Sequence, residues 1–400
     1  MATKQRTSQH GSSRGVRLAS ASTHETETDM PDNQALWLKH KRAPFTVGPA
    51  PYSAPGAGEI AVRVRAVAVN PMDRAVQNVG DIIAKWITYP FVPGSDVAGE
   101  VVAVGEGVSR FRTGDRVLGY AAGTDKDHRA AEGAFQTYAV LQAHMAAPIP
   151  DGLSFEAASV LPLGLCTAAS ALFEPDCLAL QHPPMNPRPA DKTLLVWGGS
   201  TSVGSNAIQL GVAAGYEVIT TASPRNFAYV TKLGASRAFD YRSKTAVADI
   251  VKALRGRTLA GALAIGAGSA PKCLDIVGAS KGPRVLVMAT PPASFDDVPT
   301  GKGRLIRLVP TMARMGIGFI GLTIRARRKG VRTKFVWGSA LLNSDVGPMI
   351  FERFLPAALA DGRFVAAPEP QLVGHGLDQV PTALDRQRQG VSARKVVVTI

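Results

Sequence analysis

Leu194–Asn226 reads LLVWGGSTSVGSNAIQLGVAAGYEVITTASPRN. An apolar strand (Leu194–Trp197) runs into a small-residue turn (Gly198, Gly199, Ser200), then a helical pattern (Val203–Ala214), then a second strand (Glu217–Thr221). A strand–turn–helix–strand unit with glycine in its first turn is how a backbone comes close to a pyrophosphate. A site built for a ribose 2′-hydroxyl ends its second strand on Asp or Glu. Here no acid lies between Val218 and Tyr229, and the sequence offers Ser223, Arg225 and Asn226 instead. A guanidinium in place of a carboxylate favours a 2′-phosphate, so the segment points to NADP(H) and redox chemistry. Ser223 is placed to cap a helix opening at Pro224, whose first-turn amides would add to the attraction for phosphate.

Outward from this unit the pattern changes on both sides. Residues 30–160 are strand-rich, with alternation in Glu59–Val69 (EIAVRVRAVAV) and glycine-broken strands at Asp96–Val108 and Asp115–Leu118. They predict a small twisted barrel. Further strands at Ala238–Tyr241, Ala262–Ile265 and Arg284–Met288, separated by helices, predict a doubly wound parallel sheet. A proline-rich loop, Leu178–Lys192, precedes it. The last stretch reads as a helix (Met349–Ala360) and strands ending on Lys395–Ile400 (KVVVTI). The chain is thus α/β, divided into 1–29 (polar, Ser/Thr-rich, expected to be disordered), 30–163, 164–345 and 346–400. Met30 opens the structured text and is a second candidate start beside Met1.

Composition narrows the function classes. Charged residues are 19% and hydrophobic ones 46%, as in a soluble globular protein. Three cysteines (Cys166, Cys177, Cys273) are too few and scattered for a disulfide framework, and the expected setting is cytoplasmic. No signal peptide and no uninterrupted apolar span is expected. Of the net +14, +10 lies between Gly301 and Lys334, which holds ten Lys/Arg and no acid. That window reads either as a solvated loop or as a site for an anionic partner. Nucleic acid is not expected, since no recognition motif accompanies the charge. Met312–Ile324 (MARMGIGFIGLTI) reads as a buried core segment rather than a subunit interface, and the chain as a monomer or homodimer.

Asn70–Asp73 (NPMD), Pro93–Gly119 (PGSDVAGEVVAVGEGVSRFRTGDRVLG), Gly133–Val140 (GAFQTYAV), the dinucleotide segment and the C-terminal FVWGSALLNSDVGPMIFERFLPAALADGRF and SARKVVV together resemble the medium-chain dehydrogenase/reductase superfamily. Within it they are similar to zinc-lacking quinone oxidoreductases and trans-acting enoyl reductases. The resemblance implies a GroES-like catalytic domain, built from both chain ends, beside a Rossmann domain. It further implies that Asn70, Pro71, Met72, Asp73 and Thr167 border the nicotinamide, and that Ser200, Thr201, Ser202, Val203 and Gly204 lie under the pyrophosphate. Ser223, Arg225, Asn226 and Tyr241 would surround the 2′-phosphate, with Met288, Ala289, Val391 and Ser392 lining the cofactor. By residue type alone, Met288 reads as buried strand and Tyr241 equally as packing.

Zinc members of the superfamily carry Cys at the position of Asn70 and Gly-His-Glu at Gly94–Ser95–Asp96, and four cysteines in a loop where Tyr120–Phe135 has none. No metal is therefore expected. His128 reads as a surface loop residue, Asp96 as a turn cap, and Cys166 as a small buried residue. A lysine that some relatives place two residues after the NPxD aspartate is here Ala75. Candidate catalytic residues are Asn70, Asp73, Asp96 and Thr167. The expected activity is NADPH-dependent reduction of the C=C bond of an enone or quinone. The alternatives are reduction of carrier-tethered acyl thioesters, with the carrier at 301–334, and a non-catalytic NADP-binding scaffold or sensor.

Overall fold

The computed structural model describes residues 31–183 and 188–400. The expectation for 1–29 lies outside the described residues, as does part of the proline-rich loop. Strands β1 (Asn33–Leu38) and β2 (Phe45–Ala50) form an antiparallel pair. Next come β3 (Glu59–Ala68), α1 (Pro71–Ile83), β4 (Asp96–Val104), β5 (Arg116–Tyr120), β6 (Tyr138–Gln142), β7 (Ala146–Pro148), α2 (Phe155–Ala158) and α3 (Pro162–Phe173). The middle of the chain supplies β8 (Thr193–Trp197), α4 (Ser202–Ala213), β9 (Glu217–Ala222), α5 (Phe227–Lys232), β10 (Arg237–Asp240), α6 (Ala246–Ala253), β11 (Leu259–Ala264), α7 (Ser269–Ala279), β12 (Val285–Met288), α8 (Arg304–Lys329) and β13 (Arg332–Phe335). It closes with α9 (Val346–Pro348), a π-helical turn Met349–Phe354, α10 (Leu355–Ala360), β14 (Glu369–His375), α11 (Val380–Arg388) and β15 (Arg394–Thr399).

Among the described residues β8–β13 make a parallel sheet in the order β10-β9-β8-β11-β12-β13, the doubly wound arrangement expected of the βαβ text. Its central strands, TLLVW in β8 and LAGALA in β11, are buried along their whole length because helices cover both faces. The other sheet runs β14-β15-β3-β4-β5-β7, with β6 on β3. Here β3 is shared: its first half pairs with β6 and its last residues with β15, while β4 lies along its other edge. Both chain ends therefore build this sheet. The alternation in β3 survives only at Arg63 (exposed) and Arg65 (half-buried, 2.8 Å from Glu100), since its remaining side chains are enclosed.

Three expectations need correction. The helix expected to open under a Ser223 cap is a 3-10 turn, Pro224–Asn226, leading into α5 at Phe227; the Ser223 side chain makes no cap hydrogen bond. The basic window is no loop: most of it is the 26-residue helix α8. Met312–Ile324 is not core, because only Leu308, Thr311, Leu322 and Ala326 of that helix are buried. Two helical stretches, Phe155–Phe173 and Arg304–Lys329, are long and apolar enough to cross a membrane by length and composition; the first is mostly buried in the core.

The β8–α4 turn is packed backbone against backbone. A methyl group at Gly204 would run into the carbonyl oxygen of Gly198. Gly204→Ala should destabilise the fold by about 1–3 kcal/mol, the usual penalty for overpacking, read as a lower urea midpoint at unchanged slope.

Candidate active site and cofactor cleft

The carboxyl ends of the parallel strands gather most of the residues expected to hold a dinucleotide. Gly198, at φ +92°, turns the chain out of β8, and its amide donates to Thr221 Oγ1 at 3.0 Å. Thr201 closes the N-terminus of α4: its Oγ1 accepts from Gly204 N at 3.0 Å and donates to the Gly198 carbonyl at 2.8 Å. The first-turn amides of Ser202 and Val203 have no intrahelical acceptor. Ser202 Oγ is buried without a hydrogen-bond partner among the described residues. Free first-turn amides at the positive end of a 12-residue helix, over a glycine turn, fit a diphosphate.

Beside it, at the ends of β9 and β10, Ser223 lies near the Tyr241 phenol, and with Arg242 it holds that phenol below its ordinary pKa. Arg242 Nε donates to Tyr241 Oη at 3.1 Å and its guanidinium lies 5.3 Å from the ring centroid. Lys272 Nζ donates to the Tyr241 carbonyl at 3.0 Å and sits 5.3 Å from the Trp197 ring. Arg225 is exposed at the same edge. Arg242 and Lys272 escaped the sequence reading, although Arg242 adjoins the flagged Tyr241. Asn226 Nδ2 donates to Ser392 Oγ at 2.9 Å, bringing Val391–Ser392 from the other sheet onto this edge. Met288 is buried at the end of β12, followed by half-buried Ala289.

The candidate catalytic residues meet in a buried polar cluster. Val69 N bonds to Val396 O at 3.0 Å, which sets Lys395 beside Asn70. Lys395 Nζ donates to Asn70 Oδ1 at 2.6 Å and pairs with Asp96 Oδ2 at 2.9 Å; Asn70 Nδ2 donates to the same oxygen at 2.7 Å. Leu163 N, at the start of α3, donates to Asp96 Oδ1 at 2.6 Å. Asp96 is completely buried and Lys395 nearly so, so Asp96 is an ion-pair partner and not the turn cap expected of it. Lys395 was invisible in KVVVTI, where it reads as an edge charge. Asp73 accepts from Asn70 N at 2.8 Å, and burial raises its carboxyl to about 7, with Asp96 adding to the rise and Lys395 opposing it. Thr167 Oγ1 donates to Leu163 O at 2.8 Å. Arg74, next to Asp73, reaches Asp385 at 2.5 Å and lines a cavity of about 670 Å³ together with Gln77, Asp297 and Arg388.

His128 lies half-buried in its loop, where Nδ1 is 2.8 Å from Glu132 Oε1, which raises its pKa. Burial pushes the nearly enclosed Glu132 up, but His128, the Arg129 amide and Gln142 together hold it at about 2. Cys166 is buried, and burial lifts its thiol far above the ordinary range, as suits a packing residue.

Residues 56–151 match the alcohol dehydrogenase GroES-like domain family. Over 374 residues the chain is 48% identical to the dehydrogenase pigH of Monascus ruber, covering 93% of this chain and all of that one. The chain belongs to the medium-chain dehydrogenase/reductase superfamily. It is also 35% identical over 371 residues to the trans-enoyl reductase himH of Aspergillus japonicus, covering 92% and 97% of the two chains. A solved alcohol dehydrogenase superfamily protein from Novosphingobium aromaticivorans shares the fold at a TM-score of 0.68 and 24% identity, over 92% of this chain and 99% of that one. The medium-chain dehydrogenase/reductase reading makes the protein an oxidoreductase that uses a nicotinamide cofactor, for which the glycine turn and the free amides at the start of α4 are suited.

The zinc of other superfamily members does not fit here. Asn70 and Asp96 already satisfy each other and the Lys395 ammonium, so a cation would have to displace a cation. Among the described residues no group of three or more His, Cys, Asp or Glu is placed to hold a metal.

Asp73 gives the site a pH signature. Its folded pKa lies above its unfolded value near 3.8, so the folded state binds the extra proton in between. Stability should therefore be highest below pH 4 in this respect and fall as the pH rises through about 7. Asp73→Asn should flatten that slope in urea titrations across the range; an unchanged slope would show that Asp73 is ionised throughout.

Proposed function

We propose that this protein is an NADPH-dependent, zinc-independent reductase of carbon–carbon double bonds conjugated to a carbonyl. The carrying observation is the Asn70–Asp96–Lys395 cluster, which sets an ammonium where a Lewis acid would be needed for alcohol dehydrogenation. Bound NADPH supplies the hydride. The chain supplies the surroundings. Asn70 Nδ2 carries a second N–H beyond the one given to Asp96, available to a developing enolate oxygen. Asp73, protonated up to about pH 7, accepts from the Asn70 backbone N–H and is the acid adjoining that residue able to give up a proton. Arg225, Arg242 and Lys272 favour the 2′-phosphate electrostatically.

The test is NADPH oxidation, followed in the reduced-cofactor band, on a panel of enones, quinones and acyl thioesters. Turnover on one class is expected. Tight NADPH binding without turnover on any member would instead favour a scaffold or sensor. The resemblance to a trans-enoyl reductase supports a second reading, in which the preferred substrate is an acyl chain tethered to a carrier. Faster turnover of tethered than free thioesters would decide for it.

Arg225→Asp, which removes a cation and adds an anion at the phosphate, should cut the preference for NADPH over NADH by about ten- to a hundredfold in kcat/KM, since a charge-assisted hydrogen bond contributes about 1.5–3 kcal/mol. If preference is unchanged, Arg242 and Lys272 read the phosphate without it.

A further inference from the structure

Helix α8 has two apolar faces, and the fold uses one. Its inner face is Leu308, Thr311, Leu322 and Ala326. Leu308 packs with Val79 and Val298, while Leu322 and Ala326 join Cys273, Leu274 and Val331. On the opposite side, at steps of three and four residues, run Ile306, Val309, Ala313, Ile317, Ile320 and Ile324. Ile306 is 78% exposed, Ile317 71% and Ile320 62%. Single exposed aliphatics are ordinary, but a continuous stripe about 27 Å long is not. Helical geometry puts Arg314 along one flank of the stripe, and Arg327 and Arg328 on either side of its C-terminal end. These three form no ion pair among the described residues, whereas Arg304 binds Asp81, and Arg325 and Lys329 bind Asp275.

We propose that α8 is a docking surface for an anionic lipid bilayer, on which it lies flat: the isoleucine stripe enters the boundary between headgroups and acyl chains, and the free arginines take lipid phosphates. Three observations select this occupant. The helix cannot leave to span the bilayer. Arg304 ties its start to Asp81 at 2.9 Å, and Gly330 turns its end directly into β13, which is hydrogen-bonded to β12. A second copy of the chain would bring the unpaired arginines flanking both stripes face to face, with no acid on either helix to offset them. A protein partner of ordinary kind would meet aromatic anchors and a shaped pocket, but the stripe is aliphatic and lies on a protruding helix. Apolar stripe plus unpaired cations is the composition of an interfacial helix.

The experiment is cosedimentation of the full chain with vesicles of phosphatidylcholine alone or mixed with phosphatidylserine. Binding is expected to the mixed vesicles, little to the neutral ones, and to weaken as salt is raised. Arg314→Gln/Arg327→Gln/Arg328→Gln together should weaken it about a hundredfold, from about fivefold per cation near an anionic surface. Ile317→Ser/Ile320→Ser should weaken it tenfold or more. Unchanged circular dichroism and NADPH affinity in both variants establish that they are folded. The proposal is overturned by absence of phosphatidylserine-dependent binding. It is equally overturned if the wild type is a dimer that Ile317→Ser/Ile320→Ser dissociates, or if an acidic carrier protein competes the chain off vesicles by binding the same arginines more tightly.

Discussion

The buried pair of Lys395 with Asp96, bridged by Asn70, is the constraint on which the catalytic half depends. Two charges out of water are tolerable only when their remaining valences are filled. Here Asp96 receives three donors, from Lys395, Asn70 and the Leu163 amide, and Lys395 spends its charge on two oxygens. The same contacts fix where four pieces of chain must lie: the start of α1, the start of β4, the first turn of α3 and the last strand β15. Removing one member would leave an uncompensated charge, a loss of about 3–5 kcal/mol. The pair therefore reinforces the register that backbone bonds give β15 on β3, and it sets the polarity of the site.

The cofactor edge is organised from the other sheet, by cations that are anchored rather than free. Arg242 and Lys272 both hold Tyr241, one through its phenol and one through its carbonyl, so their positions are set before any anion arrives. Such preorganisation reduces the ordering cost of binding. Asn226 and Ser392 tie this edge to the strand that carries Lys395, three residues further along. The anion-binding edge and the buried ion pair are thus joined through a single short segment, 391–395.

What was legible in the sequence follows from distance along the chain. The β8–α4–β9 unit is local, and its glycines, apolar strands and missing acid sit within one window; its strands and helix emerge within a residue or two of where they were read. The family-level architecture was legible from ordered motifs. Asp96 was misread because its partner lies near the other end of the chain, and Lys395 was unreadable for the same reason. Ser223 was misread because the chain enters α5 through a 3-10 turn, Pro224–Asn226, and not directly at Pro224. Met312–Ile324 was misread because hydropathy counts apolar residues without asking how many faces they form. One stripe of α8 is core; the other meets no partner within the described chain.

The chain's positive charge consequently has two physical characters. At the cofactor edge Arg242 and Lys272 are held by Tyr241 beside the glycine turn, in position for a single fixed phosphate. Along α8 the arginines at 314, 327 and 328 stand in solvent, where a pairwise attraction to a single anion is weak and screened within about 8–10 Å. Exposed cations of this kind gain binding strength only collectively, against a surface that presents many anions at once, and only if apolar contact adds to the sum. The isoleucine stripe between them supplies that contact, and a surface able to meet a row of aliphatics and scattered arginines without matching their shape is a fluid one.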